Sequence, residues 1–186
     1  MQYVYGYAIL PLAWCCDILD NKRKPISKSQ REEGGYPYYG ANGIQDYVAN
    51  YLFDGDFVLV GEDGSVITEK GTPIVTWATG KIWVNNHAHI IKEIDGCSLR
   101  YLYHYIQTLD ISSLVHGNIP KLTQGDFREL KVALPSIETQ TNIVSILDKF
   151  HDIANDLQKG LPAEIEARQK QYEYYRDKLL TFKKLS

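Results

Sequence analysis

Apolar positions follow two different rhythms along the chain. Over the first two thirds they come in short runs broken by turn residues: Phe57 to Val60, closed by Gly61 to Gly64, then Val66 to Thr68. Pro73 to Ala78 and Lys81 to Val84 flank a Thr79-Gly80 turn, and Ala88 to Ile91 adds another run. Short runs of this kind, bounded by turn chemistry, predict strands. Leu99, Leu102, Tyr103 and Ile106 recur at helical spacing and predict one helix over Ser98 to Leu109. Gly125 to Leu134 fits neither rhythm, with Asp126 a candidate N-cap and Pro135 a stop.

Beyond Pro135 the rhythm changes. Ile143, Leu147, Phe150, Ala154 and Leu157 alternate steps of four and three, the heptad spacing that puts one apolar seam along a helix. Gly160-Leu161-Pro162 interrupts the seam, which resumes through Ile165, Arg168, Tyr172, Tyr175, Leu179 and Phe182. A residue before proline is biased out of helical geometry, so two helices joined by a tight turn and a single kinked helix are both open. If continuous, residues 137 to 182 would span about 70 Å. The predicted class is α+β: a small, mostly β domain over residues 1–135, then a long helical arm over 136–186.

At 186 residues with 44% hydrophobic content, the chain has room for one sizeable core and is not generally disordered. No apolar run is long enough to cross a bilayer, and the start lacks the features of a signal peptide, so the default location is the cytoplasm. Cys15, Cys16 and Cys97 form no Cys-x-x-Cys pair and read as reduced thiols. A net charge of −3 runs against a protein that holds nucleic acid unaided. The distribution softens this: Asn21 to Arg31 carries Lys22, Arg23, Lys24, Lys28 and Arg31 and no acidic residue.

Candidate chemistry is sparse. Gly34 to Ile44 combines glycines, Tyr36, Tyr38, Tyr39 and the amide of Asn42. Asn42 suits an adenine edge and the tyrosines suit stacking on bases, while a folded aromatic core loop explains the same residues. In Gly80 to His89, His87 and His89 share a face if extended, the spacing at which two imidazoles bind a metal. Third ligands such as His104, His116, Asp54 or Asp56 have no diagnostic spacing, and turn capping or a contact from His87 to DNA competes with the metal. Asp54-Gly55-Asp56 and Glu62-Asp63-Gly64 read as solvated hairpin turns rather than magnesium sites. Neither a phosphate-cradling glycine motif nor a Gly-x-Ser-x-Gly nucleophile motif occurs, and Cys15 and Cys16 have no histidine at a defining spacing.

Four segments, in order, resemble the specificity subunit of type I restriction-modification systems, in particular one half of it. Tyr36 to Ile44 with Asp46-Tyr47-Val48 resembles the early part of a target recognition domain. Gly80 to His89 resembles its Trp-Val-Asn-Asn-His strand and loop, and Gly117 to Leu122 with Val132 to Pro135 resembles its closing segment. Leu134-Pro135-Ser136-Ile137-Glu138-Thr139-Gln140 resembles the opening of the family's helical region, continued by Leu161 to Ile165 and Tyr172 to Phe182.

The resemblance implies a non-catalytic subunit that reads a few base pairs of double-stranded DNA through loops of residues 1–135. Lys22, Arg23, Lys24, Lys28, Tyr38, Tyr39, Asn42, Asn86 and His87 are the expected contacts. It implies that Ile143, Leu147, Phe150, Ala154, Leu157, Tyr172, Tyr175, Leu179 and Phe182 pack against other helices. Full-length members carry two recognition domains and two helical regions, so this chain is expected to pair as a homodimer or with a second half subunit, or to be a piece of a longer chain. The implied partners are methyltransferase subunits using S-adenosylmethionine and a restriction subunit using ATP and magnesium. This chain is expected to hold no cofactor or metal, and it has no adenine-methylation motif. The rival readings are a metal-dependent enzyme built on His87 and His89, and a coiled-coil adaptor that binds no DNA.

Overall fold

A computed structural model describes residues 6–115, 117–150, 164, 170 and 171. Among the described residues eight strands run in order: β1 (Tyr7–Pro11), β2 (Asp17–Ile18), β3 (Glu33–Gly40), β4 (Gly43–Val48), β5 (Phe53–Gly61), β6 (Val75–Val84), β7 (Ala88–Lys92) and, after two helices, β8 (Lys131–Pro135). The helices are α1 (Leu99–Ile106) and α2 (Gln124–Glu129), and helical geometry resumes over 137–150. The chain divides into a compact unit, Met1–Val144, and a second unit, Ser145–Ser186. Among the described residues no helix is long and apolar enough to cross a membrane.

Six strands form one sheet in the order β2-β7-β5-β6-β3-β4, and β1 pairs with β8 in a separate ribbon. The register shows that the large sheet is strongly curled. β5 is antiparallel to both β6 and β7, with Phe53 opposite Ile82 and Gly61 opposite Ala88. The connection from Val84 to Ala88 reaches at most about 14 Å. In a flat sheet it would have to run past the whole of β5, about 26 Å or more. Curling brings the two ends of β5 within reach of one loop. The Ala41 carbonyl, at the tip of the β3–β4 hairpin, lies 3.1 Å from where a Cβ on Gly61 would stand.

The glycines predicted to be turns produce this curl. Asp54-Gly55-Asp56 and Thr79-Gly80 are not turns: both lie inside strands, with Gly55 opposite Gly80 and positive φ at each, 135° and 76°. Glycine adopts such angles without steric cost, which lets paired strands kink and coil while their ladder continues. Two further expectations are corrected. Val66 to Thr68 forms no strand, only an isolated bridge from Ile67 to Pro73. The N-cap of α2 is Thr123, whose Oγ1 accepts the Asp126 N–H at 3.2 Å, so Asp126 sits inside the first turn.

Over its second half, from Phe57 to Gly61, β5 is buried on both faces. Phe53, Phe57 and Leu59 pack with Ala78, Ile82, Val84, Ile90 and Tyr39 inside the curl. Val58 and Val60 face the other way, toward Leu99, Leu102, Ile106, Leu122, Phe127 and Leu12. The predicted helix is present with Ser98 as its N-cap, its side chain accepting from Tyr101 N–H at 3.3 Å. Cys15, Cys16 and Cys97 are free and buried, and burial pushes the Cys16 thiol well up, away from nucleophilic use.

Candidate nucleic-acid interface

β3 and β6 run parallel, Tyr38 beside Trp83 and Tyr39 beside Val84, so they finish at the same end of the sheet. The chain leaving β3 turns at Ala41 and Asn42, and the chain leaving β6 turns through Asn85, Asn86 and His87. Backbone and side-chain bonds hold these turns together. Asn85 N–H donates to the Tyr39 carbonyl at 3.1 Å, its Nδ2 donates to Gln45 Oε1 at 3.2 Å, and its Oδ1 accepts from His87 N–H at 2.8 Å. The turn after β5 joins them: Glu62 N–H donates to the His87 carbonyl at 2.8 Å, and Asp63 pairs with His87 Nδ1. Asn42, Asn86 and His87 are thereby exposed on adjoining turns.

The basic loop runs alongside. Lys24 N–H donates to the Val84 carbonyl at 3.3 Å, and the Trp83 indole N–H donates to the Lys24 carbonyl at 2.6 Å. Lys22, Lys24 and Lys28 are exposed. Lys121, which the sequence reading did not single out, stands half-exposed beside Glu62, its Nζ 3.5 Å from Glu62 Oε1.

Three expected contacts are corrected. Tyr38 and Tyr39 are 1% and 7% exposed and belong to the core. The Tyr38 hydroxyl accepts from Ile26 N–H at 3.2 Å, and the Arg31 guanidinium lies over its ring at 4.1 Å. Arg23 is also committed internally. Its Nη1 meets Glu62 Oε2 and the Ala88 carbonyl, each at 2.6 Å, and its Nε donates to the Asp20 carbonyl at 2.9 Å.

Arg23 belongs to a buried polar cluster under the turns. His89, fully buried, has Nδ1 2.6 Å from Asp20 Oδ2 and Nε2 3.0 Å from the Leu122 carbonyl, and its ring stacks on Phe127 at 4.2 Å. Both ring nitrogens thus meet oxygen partners, which fixes the plane of the ring. Asp20 also accepts from Ile90 N–H at 2.9 Å and Gln124 Nε2 at 3.2 Å. The cluster ties the start of the basic loop, the post-β5 turn, β7 and the 120–124 segment to one another.

Among the described residues, Asp20, Glu62 and His89 are those whose ligand atoms gather closely enough to hold a metal, within 4.8 Å of one another. The Arg23 guanidinium already supplies the positive charge there, with Nη2 3.4 Å from Asp20 Oδ2. His87 belongs to a different pair, with Asp63. The two histidines therefore do not converge as the metal reading required.

Burial raises the Asp20 carboxyl, but the His89 hydrogen bond and charge, the Ile90 N–H and Arg23 outweigh it, and the net shift is downward. A carboxylate whose folded pKa is depressed adds stability that is fully present above its unfolded value, about 3.9. That stability is lost as pH falls through the folded value. The expected result is a fall in stability below about pH 4 that is shallower in Asp20→Asn. Urea midpoints measured across that range check it, and parallel profiles for the two proteins would contradict it.

The apolar seam is partly visible. Ile143 is half-buried against the core, whereas Leu147 and Phe150 are 37% and 66% exposed. Ala154, Leu157, Tyr172, Tyr175, Leu179 and Phe182 lie outside the described residues.

Comparison with known proteins now identifies the family. The family described as "Type I restriction modification DNA specificity domain" matches residues 15–167. A putative type I restriction enzyme specificity subunit from Haemophilus influenzae is 40% identical over 181 residues, covering 95% of this chain and 46% of that protein. The EcoprrI specificity subunit of Escherichia coli is 29% identical over 174 residues, covering 84% and 42%. The chain thus spans about half the length of these curated relatives. The S subunit of a type I system from M. genitalium has the same fold, with TM-score 0.67 and 18% identity, covering 95% of this chain and 47% of that one. The match across both the curled sheet and the start of the helical region shows that this chain belongs to the type I restriction-modification specificity subunits and carries one target recognition domain.

Proposed function

We propose that this chain reads one half of a bipartite double-stranded DNA target and directs adenine methylation or restriction by partner subunits. The observation that carries this reading is the gathering of Asn42, Asn86 and His87 on adjoining exposed turns, beside the exposed Lys22 and Lys24. Asparagine pairs with an adenine edge through two hydrogen bonds, and lysines on the flank neutralise phosphates. Lys28 extends the basic flank. The catalytic chemistry belongs to methyltransferase subunits binding S-adenosylmethionine and to a restriction subunit using ATP and magnesium. These partners also share the phosphate contacts, which reconciles DNA binding with a net charge of −3.

The helical region then serves to space and assemble. Two copies pairing through it, or one copy with a second half subunit, complete the target. In a twofold pair the half-sites are identical and inverted.

Asn42→Ala and Asn86→Ala test the reading surface. Each lost bidentate contact removes about 1 to 3 kcal/mol of discrimination, roughly 5- to 150-fold. Binding of the assembled methyltransferase to cognate and scrambled duplexes measures it. Selectivity unchanged in both variants removes these turns from the reading surface.

A further inference from the structure

Gln140 is the one residue of the opening helical turn that is fully buried, although Ile137, Glu138, Thr139, Thr141 and Asn142 around it are exposed. Its side chain is saturated by backbone groups from two other elements. Oε1 accepts the Ser98 N–H at 2.9 Å, and Nε2 donates to the Gly96 carbonyl at 3.2 Å and the Pro135 carbonyl at 3.0 Å. Ser98 is the N-cap of α1, and Pro135 is the last residue of β8, which pairs along its length with β1. One turn further on, Ile143 and Val144 pack against the same core. The Tyr101 hydroxyl donates to the Ala133 carbonyl at 2.5 Å, so α1 and β8 are themselves stitched together.

An apolar residue at position 140 would bury equally well but would tolerate sliding. A buried amide must meet its partners in one arrangement or leave polar groups unpaired. We propose that Gln140 is a positioning residue that locks the root of the helical region to the recognition domain, so that its hydrogen bonds enforce the permitted spacing between DNA half-sites. This rests on the bipartite reading proposed above. The leverage of such a root is large: a helix rises about 1.5 Å per residue, so a swing of about 10° displaces a point about 20 Å along its axis by about 3.5 Å, one base-pair step.

The test uses the full chain assembled with its methyltransferase subunits on duplexes carrying both half-sites. Their separation is the native spacer or that spacer changed by one or two base pairs. Gln140→Met keeps the volume and loses all three hydrogen bonds, whereas Gln140→Glu keeps the acceptor for Ser98. The wild type is expected to methylate the native spacing alone. Both variants keep their discrimination within a half-site while the preference for native over altered spacing falls about tenfold or more, with Gln140→Met the more relaxed. A change in folding stability alone would not move that ratio.

A strict wild type with equally strict variants overturns the role of Gln140 while leaving the bipartite reading intact. A wild type indifferent to spacing overturns the bipartite reading and this inference with it. Hydrogen exchange on the wild-type chain tests the lock without any variant. The Ser98 amide is expected to share the protection of the 140–144 amides, and exchange at Ser98 a hundredfold faster overturns the lock.

Discussion

Arg23→Met is expected to destabilise the folded chain by about 3 to 5 kcal/mol, the range seen when one partner of a buried ion pair is removed. The Arg23 side chain is 9% exposed, and those of Asp20 and Glu62 are 1% and 12% exposed. Methionine would leave both carboxylates short of a partner in a site that has little access to water. Lys24→Met, one residue on, is expected to leave stability nearly unchanged, because that side chain is exposed. It should instead weaken DNA binding at all sequences and reduce the salt slope by about one. Urea unfolding of the full chain, with binding titrated over salt, separates the two. A stable Arg23→Met protein with weakened DNA binding would return Arg23 to the surface.

That contrast marks the limit of what the sequence makes legible. The cationic loop at residues 21–31 is plain in the sequence, but nothing in it distinguishes Arg23 from Lys24. The partners of Arg23, Glu62 and Ala88, lie 39 and 65 residues away. Burial decides the same question for Tyr38 and Tyr39: tyrosines beside an exposed amide look like a stacking platform until β3 is placed against β6. The exposed positions of Asn42, Asn86 and His87 on turns were legible because amides and an imidazole next to glycines or in a polar run mark turns.

Gly55 and Gly80 show the converse. Asp-Gly-Asp and Thr-Gly are ordinary turn sequences, and only the pairing of one glycine with the other reveals a kinked ladder instead. The apolar runs themselves located β5, β6, β7 and α1, since period and run length are local properties. Asn85 and Gln140 were not found as positioning residues. Their roles arise from partners on other elements, with only a buried amide in a polar stretch to signal them.

The second large effect concerns the helical region. If the helical region assembles as proposed, Leu147→Glu combined with Phe150→Glu is expected to leave the recognition domain folded and to abolish pairing of the arm. Both side chains are substantially exposed in the isolated chain. Burying such a side chain contributes about 1.5 to 3 kcal/mol, so losing two removes about 3 to 6 kcal/mol from association. That corresponds to a hundredfold or greater weakening. Sedimentation of wild type and variant at matched concentrations reads this directly. A double variant that sediments as the wild-type assembly would show that the seam packs elsewhere.

The proposed reading of DNA sequence by this chain is tested most directly by mapping methylated adenines across the genome of cells that carry the gene, lack it, or carry it with Asn42 and Asn86 both replaced by alanine. The expected result is a bipartite motif that disappears with the gene and loses base preference within a half-site in the double variant. A methylation pattern identical in all three strains would contradict it.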